Sequence, residues 1–418
     1  MTIQKHKNKK KGHGESRFIV QENLDKIGEV AIYYGFTPMK SPVISKSDIN
    51  LAKEVLDDDY VDEESEKHGK LPLHVEEKIA LIRLYHEQNM QSQSQPVMMY
   101  FKDVCKHSSP KNNYERYADL EILGSSGSIN EAILIQTARA MIKEEGYDDT
   151  AVEINSIGDR ESINRFTREL TAYYRKKINE MSPECRQILK EDPFELLSSH
   201  EPSAKELNEN APRSIDFLSE SCRRHLEEVL EYIEALNIPY SINNKLIGNK
   251  KYCNEIIFTI VNANNSADKK PKHKRILAIG IRYNGLAKRL GLKKDVHGVG
   301  VSLLIENNKN NLRKAVKKTL RPIASFIQLG IESKLIALDI VEKLRQVKIP
   351  LHLSLAKDRL GAQVSSIEKY HTPYVIVMGK KEAMDHTVIV RKNDTHSQET
   401  ISLEELPKYM KKIESRLK

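Results

Sequence analysis

Residues 275–306 read RILAIGIRYNGLAKRLGLKKDVHGVGVSLLIE, and the fold turns on how this stretch is organised. An apolar run from Ile276 to Ile281 leads into Arg282-Tyr283-Asn284-Gly285-Leu286. A short amphipathic segment, a basic turn and the glycine-bearing run Gly298 to Glu306 follow. Apolar runs of this length, punctuated by glycine and asparagine, predict a strand, a turn and a second strand entering a helix.

Upstream, Met98 to His107 predicts a strand, Ser108 to Asn113 a basic loop, and the segment through Leu120-Glu121-Ile122-Leu123-Gly124 a return strand, together a long hairpin. Ile129 to Lys143 predicts a helix. Apolar residues at helical spacing from Arg17 to Tyr34 predict another, ended by Gly35, with a proline-bearing strand over residues 36–44 behind it. Leu226, Val229, Leu230 and Ile233 give a helix from Ser219 to Ala235 one buried stripe. Downstream, Asn307 to Lys318 reads as a polar, basic linker. Beyond it strands at 325–330, 351–355 and 374–379 alternate with helices at 332–348 and 360–370. A hairpin from Thr387 to Ser402 and a helix from Leu403 to Leu417 complete an α/β domain of ordinary size.

With 418 residues and 39% hydrophobic content, the chain has material for two or three folded domains. The net charge of +8 suits a polyanion such as RNA, although a plain basic protein has the same balance. Cys105, Cys185, Cys222 and Cys253 lie far apart with no C-x-x-C pair. That argues against a metal site or a disulfide framework and for a reducing, cytoplasmic setting. No apolar stretch approaches the roughly 20 residues of a membrane helix, and the N-terminus lacks a signal-peptide core. Residues 1–16 are lysine-rich and predict a disordered tail able to attract phosphate; the acidic patch Asp57 to Glu64 reads as a solvated loop.

Taken together these segments resemble the histidyl-tRNA synthetases, a class II aminoacyl-tRNA synthetase family. Arg282, Tyr283, Gly285 and Leu286 fit the first half of the third class II motif. The hairpin from Met98 to Gly124 is similar to the second motif, and the Tyr34-Gly35-Phe36 segment with its flanking helix and strand to the first, which forms the class II dimer interface. Residues 153–238 resemble the insertion of the histidine enzymes, including Asp192-Pro193-Phe194-Glu195-Leu196-Leu197 and Asn210-Ala211-Pro212. The C-terminal segment resembles their anticodon-binding domain over its whole length, including the turn Gly379 to Glu382.

The resemblance implies an α+β class II synthetase-like core, an antiparallel sheet with helices, at 17–152 and 239–306, behind the basic tail of 1–16. It further implies a helical insertion at 153–238, a linker at 307–322 and an anticodon-binding-like α/β domain at 323–418. A homodimer, tRNA or another RNA as partner, and histidine as a ligand are what it implies for partners; ATP and magnesium are its cofactors if the chain is a ligase. For histidine it implies Glu76 at the amino group and Glu121 at the imidazole, with Tyr252 and Arg282 beside them. Taken alone, a glutamate in a strand is more often a paired residue. Lys106 stands at the α-phosphate, and Lys111, Lys357, Arg359, Lys380 and Lys381 are the basic groups expected nearest RNA.

The departures fall on phosphate binding. Lys106 keeps the charge of an arginine but not its bidentate guanidinium. Gly248 and Ile305 stand where the family carries two further arginines, and beside Glu76 an arginine and a threonine are replaced by His74 and Lys78. Lys250 or Lys251 could supply displaced charge, although surface lysines are the plainer reading. One such preorganised donor is typically worth about 10²- to 10³-fold in rate. The expectation is therefore a synthetase paralogue that keeps the architecture without aminoacylation, as an RNA-binding or regulatory pseudoenzyme. A divergent working ligase is the first alternative. A histidine-sensing regulatory subunit of histidine biosynthesis is the second, disfavoured by the anticodon-binding-like domain.

Overall fold

The structure, a computed structural model, describes residues 19–56, 75–104, 116–199, 201–263, 275–305, 316–320, 322–357, 359–368 and 370–417. The described course opens with β1 (Ile19–Leu24) and α1 (Lys26–Tyr33). Asp25 caps α1 by accepting from the Gly28 N–H at 2.8 Å. The helix expected from Arg17 therefore starts at Lys26, and the described residues Ile19–Leu24 before it are extended. They pair antiparallel with β10 (Val316–Leu320), a strand within the stretch read as linker. After Gly35 the chain runs through β2 (Thr37–Met39), shorter than expected, into α2 (Lys46–Leu56) and α3 (Val75–Glu87). Arg83 of α3 holds the bend before α2, donating to Val43 O at 2.8 Å and to both Asp48 oxygens.

The opening stretch of sequence lies at the middle of an eight-stranded sheet. Its members are β2, β3 (Val97–Val104), β4 (Arg116–Leu123), β5 (Thr150–Gly158), β6 (Tyr240–Ile242), β7 (Asn254–Asn262), β8 (Ile276–Arg282) and β9 (Gly298–Ile305). They lie in the order β2-β3-β4-β9-β8-β7-β5-β6. All neighbours are antiparallel except the two outer pairs, β2 with β3 and β5 with β6. The expected hairpin is β3 paired with β4. The amphipathic segment after Gly285 is one turn, α10 (Leu286–Arg289); the helix expected beyond β9 lies outside the described residues.

Strand alternation gives the sheet two buried faces. On one, α4 (Ile129–Glu144) and α9 (Glu220–Ala235) pack over Leu120, Ile122, Phe258, Val299 and Val301. On the other, α2, α3 and α10 cover Met99, Phe101, Leu123, Ile281 and Tyr283.

Between β5 and β6, α5 (Arg160–Lys176), α6 (Pro183–Glu191), α7 (Pro193–Ser198) and α8 (Pro202–Asn208) precede α9, with a core of their own around Phe166, Leu170, Tyr174, Cys185 and Leu196. Asp159, Ser182, Asp192 and Ser219 each accept from an N–H of the helix that follows, and proline opens α6, α7 and α8.

The C-terminal sheet holds β11 (Ala324–Gln328), β12 (Leu351–Leu353), β13 (Tyr374–Met378), β14 (Thr387–Lys392) and β15 (Gln398–Ser402), in the order β12-β11-β13-β14-β15. The first three are parallel; β14 and β15 form the expected hairpin. Its helices are α11 (Ile331–Gln346), α12 (Leu360–Glu368), α13 (Lys380–Met384) and α14 (Leu406–Leu417). α11 ties this sheet to the larger one. The Tyr34 hydroxyl donates to Glu342 at 2.6 Å, and Arg345 donates to Glu144 at 3.3 Å.

Candidate functional site

Register sorts the candidate residues by face. Glu121 on β4 stands opposite Gly300 on β9, which stands opposite Ile281 on β8. Glu121, Ile281 and Tyr283 therefore face α3, and Arg282, between the last two, faces α4.

There Arg282 Nε and Nη2 donate to the two oxygens of Glu131, each at 2.7 Å, and Nε lies 3.4 Å from Glu255. His225 Nε2 is 3.1 Å from Glu131 Oε1. Arg282 and Glu131 are both 0% exposed. Burial works to raise Glu131, but Arg282 and His225 outweigh it and hold the carboxyl down to about 2. Arg282 is thus a structural cation behind the sheet, on the opposite face from Glu121, and does not join it in a pocket.

On the α3 face, Glu76 and Lys78 both enter from the first turn of α3 and are buried. Lys78 forms an ion pair with Glu121 Oε1, and the Tyr283 hydroxyl donates to Glu121 Oε2 at 2.7 Å. The Lys78 ammonium lies 5.7 Å from the Tyr283 ring centroid. Burial works to lower the Lys78 ammonium, but Glu121 and Asp119 overcome it and raise it above its ordinary value. Burial raises the Glu121 carboxyl above its ordinary value, against the pull of the Lys78 ammonium, which lowers it.

Two glycines make room for this arrangement. A Cβ at Gly300 would stand 2.0 Å from Glu121 Oε2, and one at Gly298 2.3 Å from the Tyr283 ring. Tyr252 and Cys253 complete the apolar wall of this face. Burial, with the charge of Glu76 nearby, pushes the Tyr252 hydroxyl well up, and burial raises the Cys253 thiol to about 12. Of the four residues expected in one pocket, Glu76, Glu121 and Tyr252 share the α3 face and Arg282 does not. The sequence reading noted Lys78 as a replacement but assigned it no partner.

Around the expected phosphate positions, Gly248 is buried, and a Cβ there would lie 2.9 Å from Cys253 Cβ, so no longer side chain fits without rearrangement. Lys250 pairs with Asp192 at 2.7 Å and lies over the Phe194 ring, while Lys251 donates to Leu56 O at 2.6 Å. Neither is a loose surface lysine; both fasten the 248–253 turn to its neighbours. Lys106, Lys111 and His74 lie outside the described residues.

The remaining basic candidates converge at one end of the C-terminal sheet. Lys357 and Arg359 follow β12, and Lys380 and Lys381 open α13 directly after β13, a strand parallel to β12 within the same sheet. Lys380 pairs with Glu332 at 2.8 Å, Lys357 donates to Ser94 Oγ at 2.7 Å, and Arg359 and Lys381 are exposed.

At the opposite end of the parallel strands, a cavity of about 400 Å³ lies between the β13–β15 strands and α14, lined by Tyr374, Lys392, Glu399, Tyr409, Lys412 and Arg416. The sequence analysis did not single these residues out. The spacing of Lys412 and Arg416, four apart on an amphipathic helix, was the available signal. Among the described residues no group of three or more His, Cys, Asp or Glu could hold a metal ion, and no helix is long and apolar enough to cross a membrane.

Residues 325–413 match the family model of the anticodon binding domain. The chain is 27% identical over 388 residues to a histidine–tRNA ligase of Fervidobacterium nodosum, spanning 89% of this chain and 90% of that protein. It is 28% identical over 347 residues to the histidine–tRNA ligase of Listeria innocua, spanning 81% and 80%. Among solved structures, the apo histidyl-tRNA synthetase of S. aureus aligns with 92% of this chain and 94% of its own at 21% identity and a TM-score of 0.49.

Proposed function

We propose that this chain is a histidyl-tRNA synthetase family protein that binds tRNA through its C-terminal domain and does not activate histidine. The similarity to histidine–tRNA ligases along most of the chain and the anticodon-binding match support the family and the RNA partner. One observation carries the loss of activation: Glu121, the carboxylate that the resemblance gives to the imidazole of histidine, is buried and already neutralised by Lys78. The crowded Gly248, where the family carries an arginine, points the same way. Without the positive charge that stabilises the reacting phosphates, each missing donor removes about 10²- to 10³-fold in rate.

A homodimer in a cytoplasmic setting accompanies this reading. ATP and magnesium enter only if activation survives.

The test is histidine-dependent exchange of pyrophosphate into ATP, with tRNA binding followed on the same preparation. No exchange together with salt-dependent tRNA binding is the expected outcome. Exchange well above that of Lys106→Ala and Ile305→Asp controls would establish the second reading, a working ligase with relocated phosphate ligands. That reading is favoured by the names of the relatives alone.

A further inference from the structure

We propose that the cavity between the β13–β15 strands and α14 is a binding site for a nucleoside monophosphate, a phosphate monoester on a sugar that carries a flat base. The proposal goes beyond the tRNA reading and does not rest on it. The cavity lies at the opposite end of the parallel strands from Lys357, Arg359, Lys380 and Lys381.

Register builds the cavity. Lys392 stands opposite Tyr374, and Val390 opposite Glu399, so strand alternation puts all four on one face of the sheet. Over that face α14 lays a single stripe, Tyr409, Lys412, Ile413 and Arg416, spaced three and four apart. Val390 and Ile413 are buried and supply an apolar floor. The volume of about 400 Å³ falls within the range, roughly 300–1,000 Å³, of sites that take small molecules.

The charge of the lining names the ligand. Lys392, Lys412 and Arg416 meet a single carboxylate, Glu399. Among the described residues Lys412 and Arg416 have no ion pair, whereas their neighbour Lys411, outside the lining, is matched by Glu414 at 2.6 Å. Cations that share one hollow repel one another, and a dianion such as a phosphate monoester removes that repulsion. Glu399, which accepts from the Tyr409 hydroxyl, opposes a bare anion and suits a ligand whose sugar hydroxyls donate beside its phosphate. Tyr374 and Tyr409 add two aromatic rings, surfaces on which any base can stack. Packing alone does not call for this lining, because Leu406, Met410 and Ile413 already anchor α14 on the sheet.

The chain contains no tryptophan, so Tyr374→Trp keeps a flat ring in the wall and supplies one fluorophore that reports on this cavity. The full-length variant is titrated at constant ionic strength with adenosine and uridine 5′-monophosphates, with the two nucleosides, and with triuridylate bearing a 5′-phosphate. A saturable change with a phosphorylated probe and none with the nucleosides is expected. Lys412→Ala and Arg416→Ala, added to the reporter, should each weaken binding by about tenfold, the loss of one charge-assisted contact. Lys411→Ala, which removes the same charge outside the cavity, should leave it unchanged.

Saturation by the free monophosphates assigns a free nucleotide, and saturation by the phosphorylated triuridylate alone assigns the end of an RNA; the site stands in both. No saturation by any phosphorylated probe overturns the proposal, as does an equal response to the nucleosides. Weakening by Lys411→Ala as large as that by Lys412→Ala also overturns it, since general surface attraction would then account for the binding. If Tyr374→Trp does not fold, equilibrium dialysis of uridine 5′-monophosphate and the phosphorylated triuridylate against the parent and Lys412→Ala/Arg416→Ala decides. Equal binding by the two proteins, or none by the parent, sinks the site.

Discussion

Arg282 and Tyr283 are adjacent in the chain, and the sheet sends them to opposite faces, one into the ion pair with Glu131 and the other onto Glu121. Arg282→Met should leave Glu131 buried with only His225 beside it and cost about 3–5 kcal/mol, read as a lowered urea midpoint. Because the folded Glu131 carboxyl is held below its ordinary 4.5, its contribution is present above that value. It is lost as pH falls from there toward about 2, so an acid titration should show stability dropping in that window.

His352 behaves as a second reporter. Its ring stacks on Tyr370 with centroids 3.8 Å apart, and burial, aided by Lys357, brings it from 6.5 down to about 4. The unfolded state therefore binds the proton first, and stability should fall as pH drops from 6.5 to 4, by at most about 3 kcal/mol. His352→Phe should flatten that slope in urea titrations at several pH values; an unchanged slope would assign it to another group.

Among the elements, those closed by local signals were legible and those closed by distant partners were not. α9 starts one residue after the expected Ser219, which caps it, and α4, α11, α12 and the β14–β15 hairpin fall within a few residues of their expected bounds. β1 was read as helix because Ile19, Leu24, Ile27 and Val30 suit a helical stripe. Its ladder partner sits almost 300 residues away, at 316–320, and spacing alone cannot reveal that.

Glycine marks a similar divide. Gly300→Ala should cost about 1–3 kcal/mol in chemical denaturation, because the added methyl strikes Glu121 in a strand fixed on both sides. Gly361→Ala, in α12 with open space around it, should be neutral or stabilise by up to about 1 kcal/mol.

For the whole molecule, the net charge of +8 says that a polyanion is attracted and not where it binds. The parallel order of β12, β11 and β13 brings Lys357, Arg359, Lys380 and Lys381 to one end of the C-terminal sheet, although they are spread over 25 positions of the chain. Arg359→Ala and Lys381→Ala should each weaken tRNA binding for all sequences alike. Each should also reduce the slope of log affinity against log salt by about 0.7 to 0.9, measured by filter binding at several salt concentrations. Variants that leave both affinity and slope intact would move the RNA to the other basic end, around Lys392, Lys412 and Arg416.

By itself the sequence determined the periodic elements of the sheet and helices, the α/β character of the C-terminal segment, and the residue types of the candidate site, because these depend on neighbours within a few positions. Only the tertiary structure decided the faces and the partners. It placed Arg282 behind the sheet, and it brought Lys78 across 43 residues of chain to Glu121. Such choices depend on strand register and on which buried charge finds a counter-charge, and both are settled when distant segments pack together.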